Sequence, residues 1–196
     1  KNNVDVACLL ASVRMELRDS YDTCAKLLLD FLNENKNCLS DNDKARIYTN
    51  IGYYIGFDSS TPEYLLKAEN LSSPYAETYK GLGLYYFSEY ERDNSDKNLK
   101  IAIKYFEKAK TISKDYVNHF NYAASLYENK KYQRAKAIFE DLLIYYPGRM
   151  RLILALAYCE LFLGNKATAK FYLSQVKCGQ DENYSLSTDE ISEYQV

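Results

Sequence analysis

Thiol and imidazole groups are the first places to look for chemistry in this sequence. Cys8, Cys24, Cys38, Cys159 and Cys178 could supply thiolates, and His119, the sole histidine, a general base. Nucleophilic catalysis needs a nucleophile within hydrogen-bond reach of its base. No marked nucleophile stands beside His119 in sequence. A metal site needs ligands at short recurrent spacings, and no two cysteines are close together. There is no Gly-rich phosphate loop and no HExxH. Five cysteines, an odd count, in a chain of 196 residues make no disulfide framework either. The thiols read as buried or half-buried groups of a reducing compartment, and His119 as a packing residue. The expectation is a non-enzyme with no catalytic residue, no cofactor and no metal.

Charged side chains offer recognition instead of catalysis. Lys97, Lys100, Lys104 and Lys108 fall on one face at helical spacing, with further bases at Lys130, Lys131, Arg134 and Lys136. A nucleic-acid surface interleaves bases with exposed aromatics. Tyr105 and Tyr132 lie nearby, but their spacing puts them in packing positions, so a solvated outer face accounts better for the lysines. The formal net charge of −2 gives no global pull toward nucleic acid or anionic lipid. Residues 179–196 carry five acids and no base, which reads as a polar capping helix or a solvated acidic tail. No run approaches the roughly 18 apolar residues of a membrane span; the longest apolar stretch, residues 152–163, is broken by Glu160. The expected address is cytoplasmic. Because the sequence opens on Lys1, a processed periplasmic or exported form stays open.

The elements that position these groups are helical. With 7 glycines and 3 prolines, the chain has few breakers, which favours helices joined by short turns. Val6, Leu9, Leu10 and Val13 recur at three and four and predict the buried face of a first helix; Leu28, Phe31 and Leu32 predict that of a second. Arg18-Asp19-Ser20 supplies the turn and cap between them. Residues 33–43 form a polar connector, and a third helix is predicted over about 42–57. Asp58 through Pro62-Glu63 is a start signal, with proline at the first helical position, and Ser72-Ser73-Pro74 repeats it. Breaks follow at residues 93–96, 129–130, 146–148 and 164–165. Roughly ten helices in pairs are predicted, and no strand.

A fixed period then appears. Ala102, Phe106 and Ala109 return as Ala135, Phe139 and Leu142, and again as Ala169, Leu173 and Val176. The preceding helices repeat as well: Tyr48, Ile51, Gly52, Ile55; Tyr79, Leu82, Gly83, Tyr86; His119, Tyr122, Ala123, Leu126; Ile153, Leu156, Ala157, Glu160. Each quartet occupies one helix face. The small residues mark where two helices of a pair cross closely, and Phe106 and Phe139 are expected to fill the space between successive pairs. Gly81 has no role in this pattern. About seven extra residues are expected between the helices of the 76–115 unit, near residues 93–99.

Tyr79-x2-Leu82-Gly83-x2-Tyr86 followed by Ala102-x3-Phe106 resembles the tetratricopeptide repeat. Repeats are expected over about 44–75, 76–115, 116–149 and 150–178, with residues 1–43 as a degenerate pair or cap and 179–196 as the acidic end. No unit carries the family's tryptophan, and Glu160 occupies a slot usually aromatic. The resemblance implies an all-α, right-handed superhelical solenoid of four to five antiparallel helix pairs. It also implies a concave groove lined by the first helix of each pair. Here that groove would comprise Arg46, Thr49, Asn50 and Tyr53; Glu77, Lys80, Leu84 and Phe87; Val117, Phe120, Asn121, Ala124 and Tyr127; and Arg151, Leu154, Tyr158 and Leu161. One subfamily grips the C-terminal carboxylate of chaperones with five polar residues. Lys80, Asn121 and Arg151 fall on three of those places, but Leu84 and Ala155 take the other two, so unrelated groove polarity is the better account. The expected function is a non-catalytic interaction module, an adaptor, chaperone or assembly factor, holding a peptide segment or helix of another protein. A peptide-sensing regulator that changes shape is the alternative, and single-stranded nucleic-acid binding a weaker one. Nothing in the sequence sets the oligomeric state.

Overall fold

The computed structural model describes residues 3–54 and 62–176, with the side chains of Tyr53 and Tyr54 excepted. Ile55 of the first quartet, positions 58–61 of the start signal, Cys178 and the acidic residues 179–196 lie outside the described residues, as does the Tyr53 side chain. Among the described residues there are ten helices and no strand. They are α1 (Val4–Glu16), α2 (Tyr21–Glu34), α3 (Asp41–Tyr54), α4 (Pro62–Asn70), α5 (Ala76–Asp93), α6 (Asp96–Ile112), α7 (Tyr116–Glu128), α8 (Tyr132–Tyr145), α9 (Met150–Phe162) and α10 (Lys166–Ser174). None is long and apolar enough to cross a membrane.

The starts are chemically specified. Asn3 Oδ1 accepts from the Asp5 and Val6 amides, and Ser20 Oγ accepts from that of Thr23. Ser40 and Asp43 exchange backbone and side-chain hydrogen bonds at the head of α3, satisfying donors that a helix start leaves open. Pro62 opens α4 as its fixed φ allows. The Ser72-Ser73-Pro74 signal works differently: α5 begins later, at Ala76. The Ser73 hydroxyl instead accepts the Tyr75 amide and joins Thr78, which in turn joins Thr49 across to α3. Thr49 is therefore buried in a hydroxyl chain and is not a groove residue.

The chain divides into two compact units, Lys1–Asn118 and His119–Val196, with the boundary in the first turn of α7. In the first unit α1 packs on α2, α3 on α4 and α5 on α6, while α3 also meets α1, α2 and α5. α2 buries Leu28 and Leu32 as expected, with Phe31 packed against them, but α1 corrects the sequence expectation. Val4, Ala7, Cys8 and Ala11 are buried, whereas Val6, Leu9, Leu10 and Val13 are exposed, Leu9 by 64%. Close approach of helices selects the small side chains, so the larger apolar residues are left outside.

Glycine positions show the same demand. A Cβ on Gly83 would lie 2.6 Å from two ring carbons of Phe106, a buried residue of α6. Phe106 thus fills the crossing within its own pair, not the space between pairs, and it also touches Phe87 with ring centroids 6.4 Å apart. Gly81 has a packing role after all. A Cβ there would lie 2.8 Å from Leu65, and one on Gly52 would lie 2.6 Å from the same side chain. The extra residues of this unit lengthen the helices, 18 in α5 and 17 in α6, and Asn94 closes α5 in a left-handed conformation with φ 52°.

In the second unit Tyr122, Ala123 and Leu126 of α7, Ala135, Phe139 and Leu142 of α8, Leu152, Ile153, Leu154, Leu156, Ala157 and Cys159 of α9, and Ala169 of α10 are buried. Phe139 meets Phe120 of its own pair at 5.4 Å. Gly148 and Gly164, with φ of 79° and 86°, make the tight turns on either side of α9.

Candidate functional site

A cavity of about 400 Å³ opens in the second unit, lined from α7, α8 and α9. Helical periodicity assembles it. Phe120, Ala124, Tyr127 and Glu128 share one stripe of α7, and Arg151, Leu154, Ala155 and Tyr158 share one stripe of α9. The small side chains of Ala124 and Ala155 leave room between the helices. Leu154 is buried, and Phe120, Tyr127 and Tyr158 are half-buried walls. Phe139 reaches the cavity from α8. The Arg151 guanidinium sits 4.9 Å from the Phe120 ring centroid, in cation–π range. The Tyr127 ring is held edge-on by Tyr132 at 5.3 Å and Phe162 at 5.7 Å. Burial raises its hydroxyl pKa well above the usual phenol range.

The other side of α9 is fixed by charge. Glu160, in the slot usually aromatic, is buried and accepts from Lys136 Nζ at 2.7 Å and from Asn165 Nδ2 at 2.7 Å. Burial pushes its carboxyl pKa up, but those two hydrogen bonds and the lysine charge outweigh burial and hold it below the ordinary value. The hydrogen bond that Lys136 donates to Glu160 raises the pKa of the lysine in turn. A satisfied ion pair thus ties α8 to α9 where the repeat pattern would place a ring.

The structure brings six of the sequence-derived groove residues, Phe120, Ala124, Tyr127, Arg151, Leu154 and Tyr158, around this one cavity. Asn121 is half-buried on α7 and is not part of the lining. In the first unit Arg46 pairs with Asp5, and Asn50 Nδ2 donates to the Arg46 carbonyl at 2.9 Å. Lys80 is half-buried, and its charge helps to hold the Asp115 carboxyl below its usual range. That shift runs against burial and is owed chiefly to hydrogen bonds from Asn118 and Ser113. Leu84 and Phe87 are half-buried on α5, and Phe87 also meets Tyr90.

Sequence reasoning misses Glu128 and Phe139 as lining residues. Glu128 is within its reach, because it stands four residues after Ala124 on the same stripe. A second, more open cleft of about 630 Å³ lies between α1 and α2, with Val6, Leu10, Leu27 and Phe31 among its lining. Hydropathy hides this cleft, because it assigns Val6 and Leu10 to the core. Cys8, Cys24 and Cys159 are buried and Cys38 is exposed. Burial raises all three buried thiols, Cys159 to about 12, which keeps them protonated. His119 is half-buried.

No protein-family model matches the sequence, and no curated protein matches it. Solved structures do match the fold. A crystal structure of MamA superposes with a TM-score of 0.68 at 17% identity, covering 88% of each chain. YrrB, described as "a TPR protein with an unusual peptide-binding site", superposes at 0.68 and 15% identity over 88% of this chain and 81% of its own. TTC0263, a thermophilic TPR protein of Thermus thermophilus, superposes at 0.60 and 16% identity over 98% of this chain and 97% of its own.

Proposed function

Because the chain has the fold of the tetratricopeptide-repeat proteins, we propose that it is a non-catalytic interaction module that holds a peptide segment of a partner protein against the first helices of its pairs. The observation that carries this reading is the α7–α9 cavity. Half-buried aromatics and an arginine around a concave, partly apolar space are what binding hot spots are made of. Asn121 on α7 is a further candidate contact in this unit, and Arg46, Asn50, Tyr53, Lys80, Leu84 and Phe87 on α3 and α5 are candidate contacts of the first unit taken by itself. One lysine of the α6 stripe is taken up in packing: Lys108 lies 3.9 Å from the Tyr79 ring centroid and 3.9 Å from Glu69, engaged with its own unit.

The reading predicts that partner capture depends on the cavity. A Phe120→Ala/Tyr127→Ala/Tyr158→Ala triple variant, shown by circular dichroism to keep its helices, should lose most proteins recovered by the wild-type chain. Recovery of the same partners by both chains would refute the assignment.

A further inference from the structure

The α7–α9 cavity has a charge at each end. Arg151 lies over Phe120 at one end, and Glu128, eight residues further along α7, stands at the other. Eight residues of helix rise about 12 Å. Between the charges the lining is aromatic and aliphatic: Tyr127, Leu154 and Tyr158.

Helix stabilisation does not account for where these charges sit. The helix dipole favours acids in the first turn and bases in the last. Arg151 is in the first turn of α9, and Glu128 is the last residue of α7. Both placements run against the dipole, and both residues line the cavity.

Resting on the peptide-binding reading above, we infer that this cavity selects an extended peptide carrying an acidic and a basic side chain four positions apart, with an apolar residue midway between them. The spacing follows from geometry. An extended chain advances about 3.3 Å per residue and its side chains alternate faces, so a separation of four residues spans about 13 Å and keeps both charged side chains, and the residue midway, on the same face. The acid meets Arg151, the base meets Glu128, and the intervening side chain lies against Tyr127, Leu154 and Tyr158. A peptide of uniform charge meets a like charge at one end, and that repulsion gives selectivity.

The test is selection of a phage-displayed library of randomised short peptides on the full chain, followed by anisotropy titration of labelled synthetic hits. Hits should carry the acid–apolar–base pattern. Arg151→Gln and Glu128→Gln, both conservative changes at the exposed rim, should each weaken a patterned hit about five-fold. Arg151→Gln should weaken a hit lacking the acid less than it weakens the patterned hit, and Glu128→Gln likewise for one lacking the base. Hits without the charge pair, or equal losses with and without the matching charge, overturn this inference while leaving the groove reading intact. If no peptide binds, or binding survives the Phe120/Tyr127/Tyr158 triple-alanine variant, the groove reading fails and this inference with it.

Discussion

Gly83→Ala sets two local effects against each other, and the structure decides between them. Alanine is the better helix former by about 0.8–1 kcal/mol, so at an exposed helical site this change stabilises. At position 83 the added Cβ would lie 2.6 Å from both Cδ1 and Cε1 of Phe106. Carbon atoms at rest stand about 3.5–4.0 Å apart, so the ring must retreat by roughly 1 Å. Phe106 is buried, with little free space to enter, and overpacking of this kind costs about 1–3 kcal/mol. The net expectation is a loss of about 1 kcal/mol, or a fall in Tm of about 2–4 °C for a chain of this size. Urea titration followed by circular dichroism, supported by thermal scans, gives the value. Phe106→Leu supplies the internal check. On its own it costs stability by leaving a void, but it also removes the ring atoms that the new methyl strikes. In the double variant the alanine should therefore be neutral or favourable. A stabilising Gly83→Ala, or strictly additive costs in the pair, would refute the claim that this glycine exists for Phe106.

Two further predictions concern features the repeat pattern does not contain. The pKa of Glu160 is held below its ordinary value of 4.5 in the folded chain, so its contribution is intact above that pH and is lost as pH falls through the folded value. The stability advantage of wild type over Glu160→Gln should be constant between about pH 6 and 8 and shrink below about pH 4.5 in denaturation series. Lys136→Met, which strands the buried carboxylate, should cost about 3 kcal/mol at neutral pH by the same measurement. On α1, Leu9→Gln, Leu10→Gln and Val13→Gln should each change stability by less than about 0.5 kcal/mol, while Ala11→Leu should cost about 1–3 kcal/mol. The reverse order in urea midpoints would return the core to the face that hydropathy favours.

That reversal marks where the sequence is legible. The quartets of α5, α7 and α9 and the triplets of α6 and α8 can be read because large and small residues alternate there with the helical period, and most of them are buried. Hydropathy places Leu28 and Leu32 of α2 correctly but misplaces α1, whose buried face is built largely from Ala7, Cys8 and Ala11. Such side chains pack well when helices approach closely, but they add little to a hydropathy pattern. Gly81 looks idle in sequence because its reason, Leu65, lies in α4, outside the motif that contains the glycine. Glu160 reads as a defect until Lys136 and Asn165 are seen beside it. At the candidate site, spacing finds the aromatic walls and Arg151. It does not find Glu128, because an acid at a helix end carries no hydropathy signal and its partner charge lies on another helix.

The position of Leu65 bears on how this chain can change. Its side chain occupies the space left by Gly52 on α3 and by Gly81 on α5, so one residue of α4 fits both the helix before it and the helix after it. Enlarging either glycine requires a smaller residue at 65, and a smaller residue at 65 opens a void beside both. Three positions in three helices therefore constrain one another, and this joint cannot be altered one repeat at a time. Duplication, deletion or transplantation of the α3–α4 pair, the usual route by which helical arrays lengthen or shorten, should fail here unless α5 is carried along with it.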